Sequence, residues 1–241
     1  MENICLSIVI PAFNEEERIE RTLSSIRDYL KNKLISWEVI VVDDGSKDRT
    51  KEIVSRFVSD KRISLIENQE NKGKGYSVKR GILSAKGEFI LFSDADLSTP
   101  IKEVDKLFLY LRRGYDIAIG SRRLVESRIV VPQSWIRRAM GKIFSSIIRF
   151  FILPRIKDTQ CGFKLFKGAV AKRLFAASRV RGFTFDIEIL CMAKKLNLRV
   201  QEVPIEWHDS PKSKVNPIVD TFKMLIDIYK IKMTSIRKNI E

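Results

Sequence analysis

Between residues 6 and 92 the chain repeats one unit, a short apolar run followed by a stretch with helical spacing. The runs cover 6–10, 39–42, 63–66 and 89–92, and runs this short and evenly apolar read as strands buried on both faces. Helices are expected over 15–31 and 48–58, and from the turn at Asn71 to Ala85. In the first, Ile19, Leu23, Ile26 and Leu30 share a face, with Asn14 placed as a cap before an acidic first turn. Pro100 opens a fourth helix, and residues 116–119 are a fifth strand running into Gly120-Ser121-Arg122-Arg123. Such alternation specifies an α/β fold with a mostly parallel central sheet flanked by helices.

In an open α/β sheet, ligands bind at the carboxyl ends of the strands. Three of those ends carry acids or glycine: Pro11-Ala12-Phe13-Asn14-Glu15, Asp43-Asp44-Gly45-Ser46 and Ser93-Asp94-Ala95-Asp96-Leu97-Ser98. The paired carboxylates Asp94 and Asp96 are hard oxygen donors suited to Mg²⁺ or Mn²⁺, an ion usually completed by water and substrate phosphates. A solvated helix-capping turn is the other reading of Asp-x-Asp, but it leaves the two companion turns on the same edge unexplained. Lys74 lies in Asn71-Lys72-Gly73-Lys74-Gly75, where glycines admit a close ligand and a helix start favours phosphate.

Charge narrows the partner. Lys and Arg number 45 against 30 Asp and Glu, a net charge of +15. Between residues 112 and 157 eleven basic residues face only Asp116 and Glu126. A surplus so uneven implies nucleic acid, acidic lipid or a phosphorylated substrate. Nucleic acid is not expected, because there is no zinc spacing and no aromatic-interleaved basic sheet. Three cysteines (Cys5, Cys161, Cys191) make no disulfide framework and suit a reducing compartment. Acids come early, and no run approaches the ~20 apolar residues of a spanning helix, so a cytoplasmic location is expected.

Two further stretches are amphipathic. Residues 134–153 put Ile136, Met140, Ile143, Ile147 and Phe151 opposite Arg138, Lys142, Ser145 and Arg149. Asn216 caps and Pro217 opens a second, with Ile218, Phe222, Leu225, Tyr229 and Met233 opposite Asp220, Lys223, Asp227, Lys230 and Thr234. Packing on the sheet is one reading of both; lying in a membrane interface is the other.

The stretches SIVIPAFNEEERI, VVDDGSKDRT, NKGKGYSVKRGILSAKGEFILFSDADLS and IAIGSRR, in that order over residues 6–123, resemble the GT-A glycosyltransferases. The match is to the inverting group that contains the dolichyl-phosphate sugar synthases. DTQCGFKLF, GFTFDIE, EVPIEW and Ser213-Lys214 extend the resemblance to about residue 230 and point to the dolichyl-phosphate glucosyl- and mannosyltransferases. It implies a GT-A domain over 1–215 with 134–153 as an interface helix, and a C-terminal amphipathic helix over 216–241. It implies transfer of glucose or mannose from UDP-glucose or GDP-mannose to a polyprenyl (dolichyl-type) phosphate, by an enzyme peripheral on the cytoplasmic face of an anionic membrane.

The same resemblance implies a donor site of Pro11, Phe13, Glu15, Asp43, Asp44, Lys74, Asp94 and Ala95, closed over by Lys214. Asp96, with Asp94 and Ser98, would hold Mg²⁺ or Mn²⁺; several mannosyl members carry glutamine where this chain has Ser98. Arg122 and Arg137 or Arg138 would grip the acceptor phosphate, which is already anionic near neutrality and needs no general base. The alternative is transfer to a hydroxyl of a glycolipid or polysaccharide. That chemistry needs a base, for which Asp186 or Glu188 is the candidate. The single histidine, His208, sits in a Trp-His-Asp loop and is expected to be structural.

Overall fold

The computed structural model describes residues 4–131, 141, 145, 146, 148–150, 152–209, 224, 227 and 228. Strands β1 (Leu6–Ala12), β2 (Trp37–Asp43), β3 (Ile63–Glu67) and β4 (Phe89–Ser93) alternate with helices α1 (Ile19–Lys31), α2 (Thr50–Phe57) and α3 (Lys74–Ser84). A 3-10 turn at Ile101–Glu103 leads into α4 (Val104–Arg112) and β5 (Ile117–Ser121). Then follow β6 (Arg128–Val131), β7 (Phe163–Lys167), α5 (Gly168–Ala177), α6 (Phe185–Lys195), β8 (Val200–Pro204) and β9 (Glu206–His208).

Seven strands form one sheet in the order β3-β2-β1-β4-β7-β5-β8. β7 runs antiparallel to both β4 and β5, and the other pairings in this sheet are parallel. The mostly parallel, helix-covered sheet expected from the sequence is therefore present. Alternation along the strands divides the core in two. Ile8, Ile10, Leu91 and Leu165 join α1, α2 and α4 on one face. Val9, Ile90, Phe92 and Phe166 join α3, α5 and α6 on the other. Each such side chain contributes roughly 1.5–3 kcal/mol by leaving water.

The first helix begins later than its sequence pattern suggests. Asn14 does not cap it: the residue has φ 54°, and its Oδ1 accepts the Lys47 N–H at 2.7 Å. The N–H groups of Asn14 and Glu15 donate to Ser46 Oγ at 2.8 Å and Thr50 Oγ1 at 2.6 Å. Residues 14–18 thus lace the end of β1 to the turn after β2 before α1 starts at Ile19. This local competition between side chain and helix backbone is characteristic of asparagine.

β6 and β9 form a separate parallel ribbon. It is fixed beside the loop after β4 by the His208 N–H, which donates to the Ser98 carbonyl at 2.8 Å. Of the two amphipathic stretches, Ile148, Leu153, Met224 and Ile228 are buried in the α3-side core, while Phe150 is 82 % exposed. The remainder of 134–153 and 216–241 lies almost wholly outside the described residues. No described helix is long and apolar enough to cross a membrane.

Candidate active site

The loop after β4 is pinned at successive residues. The Asp94 N–H donates to the Gly162 carbonyl at 3.0 Å, and Thr22 Oγ1 of α1 donates to the Ala95 carbonyl at 2.6 Å. The Ser98 N–H donates to Asp96 Oδ1 at 2.9 Å, and Leu97 between them takes φ 47°. Ser93, Asp94, Leu97, Ser98, Gly162 and Trp207 line a crevice there. Carboxylates and cations alternate along this loop and the elements beside it. Lys74 Nζ stands 2.6 Å from Asp94 Oδ1, and Arg18 lies 3.9 Å from Asp96 Oδ2 while pairing with Glu15 Oε2 at 2.5 Å.

Burial pushes the Asp96 carboxyl above its usual range and the neighbouring Asp94 adds to it, against the pull of the Ser98 N–H. Burial disfavours the Lys74 ammonium, but Asp94 and Asp186 outweigh it and hold the lysine above its usual range. Among the described residues no three His, Cys, Asp or Glu converge as a complete metal cage. Two crowded hard carboxylates on one loop, Asp94 of them lining the crevice, do fit Mg²⁺ or Mn²⁺, which is commonly held by one or two carboxylates plus substrate phosphates. Ser98 offers its side chain on the same loop.

The carboxylate of Asp94 has room only because residue 162 is glycine. A Cβ there would stand 1.9 Å from Asp94 Oδ2. Gly162→Ala is therefore expected to fold and to lose about 10²-fold in turnover, since a shift of about 1 Å in a catalytic group is enough for that. Wild-type turnover in a folded Gly162→Ala variant would contradict the placement. Gly73 is constrained twice: its φ is +98°, and a Cβ would meet the Arg181 carbonyl oxygen at 2.5 Å.

At the end of β2 the two adjacent aspartates differ. Asp44 is tied to the loop before α3, accepting from Asn68 Nδ2 at 2.6 Å, the Lys72 N–H at 3.0 Å and the Gly73 N–H at 2.9 Å. Asp43 accepts the Ser46 N–H through Oδ2 at 3.1 Å, while its buried Oδ1 has no hydrogen-bond partner among the described residues. Pro11 is buried at the end of β1 and Phe13 is half-buried just beyond it.

Arg122 is placed differently from the sequence-based expectation. Its Nε and Nη2 fork onto Asp158 at 2.7 and 2.8 Å, its N–H donates to the same carboxylate at 2.9 Å, and it lies over the Trp207 ring at 5.5 Å. The bidentate grip expected for an acceptor phosphate is thus made to a protein carboxylate. Arg137, Arg138 and Lys214 lie outside the described residues.

Burial works against the Asp158 charge, but Arg122 overrides it and holds the carboxyl at about 2, against an ordinary 3.8. A depressed folded-state value gives stability that is complete above the ordinary value and is lost as pH falls from about 4 towards about 2, roughly 2 kcal/mol in all. Denaturant midpoints should fall more steeply across that window in wild type than in Asp158→Asn. Equal slopes would contradict the pairing.

Residues 7–175 match the profile of glycosyl transferase family 2. The chain belongs to that family. It is 36 % identical to the dolichyl-phosphate beta-glucosyltransferase of Dictyostelium discoideum, over 96 % of this chain and 75 % of the relative. Identity to the enzyme of the same name from Saccharomyces cerevisiae is 35 %, over 96 % of this chain and 75 % of that one. Among solved structures, glucosyl-3-phosphoglycerate synthase from Mycobacterium tuberculosis, in complex with Mn²⁺ and UDP-glucose, superposes with TM-score 0.68 at 18 % identity. That superposition covers 96 % of this chain and 78 % of the other, and it shows a shared GT-A fold.

In this family 2 glycosyltransferase both carboxylates considered as a general base are committed elsewhere. Asp186 is 4 % exposed and bonded to Lys164. Glu188 accepts the N–H groups of Arg179 and Val180 at 3.0 Å each. His208 Nε2 lies 2.9 Å from Glu206 Oε1, within the ribbon. Four neighbours of the site stand within the matching stretches but received no role of their own from sequence: Arg18, Asp158, Gly162 and Lys164. Lys164 carried a usable signal, being a lysine inside the otherwise apolar run Phe163-Lys164-Leu165-Phe166. The other three depend on contacts between distant segments.

Proposed function

We propose that this glycosyltransferase moves glucose from UDP-glucose to dolichyl phosphate or a closely related polyprenyl phosphate. The observation that carries the reading is its identity of 36 % to a dolichyl-phosphate beta-glucosyltransferase over 96 % of its length. On this reading the nucleotide lies along the ends of β1 and β2, bordered by Pro11, Phe13 and Glu15. Asp43 and Asp44 border it at the end of β2, with Asp44 shaping the loop before α3. Asp94, Ala95 and Asp96 face the sugar and diphosphate, and Asp94 and Asp96, with Ser98, hold Mg²⁺ or Mn²⁺. When bound, such an ion neutralises charge building on the leaving diphosphate. Lys74 adds positive charge beside Asp94.

The acceptor phosphate needs no base, since its second pKa is ~6. The commitments of Asp186 and Glu188 support that choice over a hydroxyl acceptor. Incubating the protein with dolichyl phosphate, Mn²⁺ and labelled UDP-glucose or GDP-mannose tests the donor. A glucosylated lipid is expected; a mannosylated lipid alone would overturn it.

The reading also sets the enzyme peripherally on the cytoplasmic face of a membrane. In support, Ile129, Val130 and Val131 of the ribbon strand β6 are 41–43 % exposed beside Arg128, and Val125 just before that strand is 94 % exposed. The protein is expected to sediment with anionic vesicles and to be released by high salt, because surface attraction is screened beyond ~8 Å at physiological ionic strength. Failure to sediment at low salt would contradict it.

A further inference from the structure

Lys164 stands in β7 with its side chain 2 % exposed, opposite Asp186 in the first turn of α6 at 5 %. Its ammonium donates to the Asp186 carboxylate and to the Cys161 carbonyl, and it lies 5.7 Å from the centre of the Phe92 ring. Stability alone does not account for such a pair, since apolar side chains of similar volume in its place are often neutral or stabilising. Its neighbours single it out. Cys161 leads into Gly162, whose carbonyl receives the Asp94 N–H at 3.0 Å and whose Cα lies against the Asp94 carboxylate. A route therefore runs from the buried pair to one carboxylate, through the 161–162 backbone.

We infer that Lys164 and Asp186 are positioning residues that fix where the Asp94 carboxylate points. Lys164 holds the turn against which Asp94 rests, and Asp186 holds Lys164. The inference rests on the donor-site reading of Asp94 given above.

The test compares Lys164→Met/Asp186→Leu with wild type, Lys164→Arg and Asp186→Asn. The apolar double variant is expected to keep its melting temperature while kcat falls about 10–100-fold, more than KM for UDP-glucose changes. Calorimetric titration of Mn²⁺ in the presence of UDP should show affinity weakened by about 10–100-fold. Lys164→Arg, which keeps charge and donors, should recover part of both losses. A folded double variant with wild-type kcat and Mn²⁺ affinity would overturn the inference, as would deficits that vanish well below its melting temperature. If the double variant does not fold, Asp186→Asn, which keeps shape, decides by the same readouts. Absence of UDP and Mn²⁺ binding in wild type would overturn the donor-site reading itself, and this inference with it.

Discussion

Asp96→Asn is expected to fold like the wild type and to lose about 10²–10³-fold in transfer, the usual cost of removing one preorganised electrostatic partner of a transition state. Folding should survive because Asp96 supports little structure beyond its own loop: it accepts from the Ser98 N–H at 2.9 Å, and an amide oxygen can accept that too. What the amide cannot supply is charge. Asp96 is crowded by Asp94, and the Arg18 guanidinium stands 3.9 Å from it. A divalent cation would relieve that crowding, so wild-type activity should disappear with a chelator and return with Mn²⁺ or Mg²⁺. Full activity of Asp96→Asn, or of wild type in chelator, would contradict the assignment.

Arg122→Ala is expected to act on stability before it acts on the acceptor. Removing the guanidinium leaves Asp158, 1 % exposed, as a buried charge without its fork. Breaking a buried pair on one side costs about 3–5 kcal/mol, which for a chain of this size lowers the melting temperature by roughly 10 °C. Arg122→Lys should fall between, because an ammonium cannot make the two parallel bonds. Arg122→Met/Asp158→Leu should regain much of the loss by removing both charges together. An unchanged melting temperature with a raised acceptor KM would return Arg122 to the role its sequence position suggested.

The strands and their order along the chain were legible because apolar runs and helical spacing are local patterns. The acidic strand ends were legible for the same reason, since Asp94, Asp96, Asp43 and Glu15 adjoin runs whose direction is set by a parallel sheet. β7 was not. Phe163–Lys167 enters the sheet between β4 and β5 in the opposite direction, a pairing that no local pattern encodes. Choosing between Asp43 and Asp44 needed Asn68 and the 72–73 backbone, which only the folded chain brings to Asp44. Arg122 read as a free cation because its partner lies 36 residues further on, just past the end of the region of positive surplus. That a side chain at residue 162 would displace the Asp94 carboxylate is likewise a fact about Asp94, not about the sequence around Gly162.

The central claim, that the nucleophile is a phosphate oxygen needing no protein base, is tested most directly by the acceptor itself. Dolichyl phosphate and unphosphorylated dolichol, in equal amounts in the same vesicles, should be offered to the enzyme with labelled UDP-glucose and Mn²⁺. The labelled product should then be analysed by mass spectrometry. The account expects a glucosyl phosphodiester from dolichyl phosphate alone, with Glu188→Gln retaining most of that activity. Glucose attached to the hydroxyl of dolichol, with a collapse of about 10²–10⁴-fold in Glu188→Gln, would contradict it.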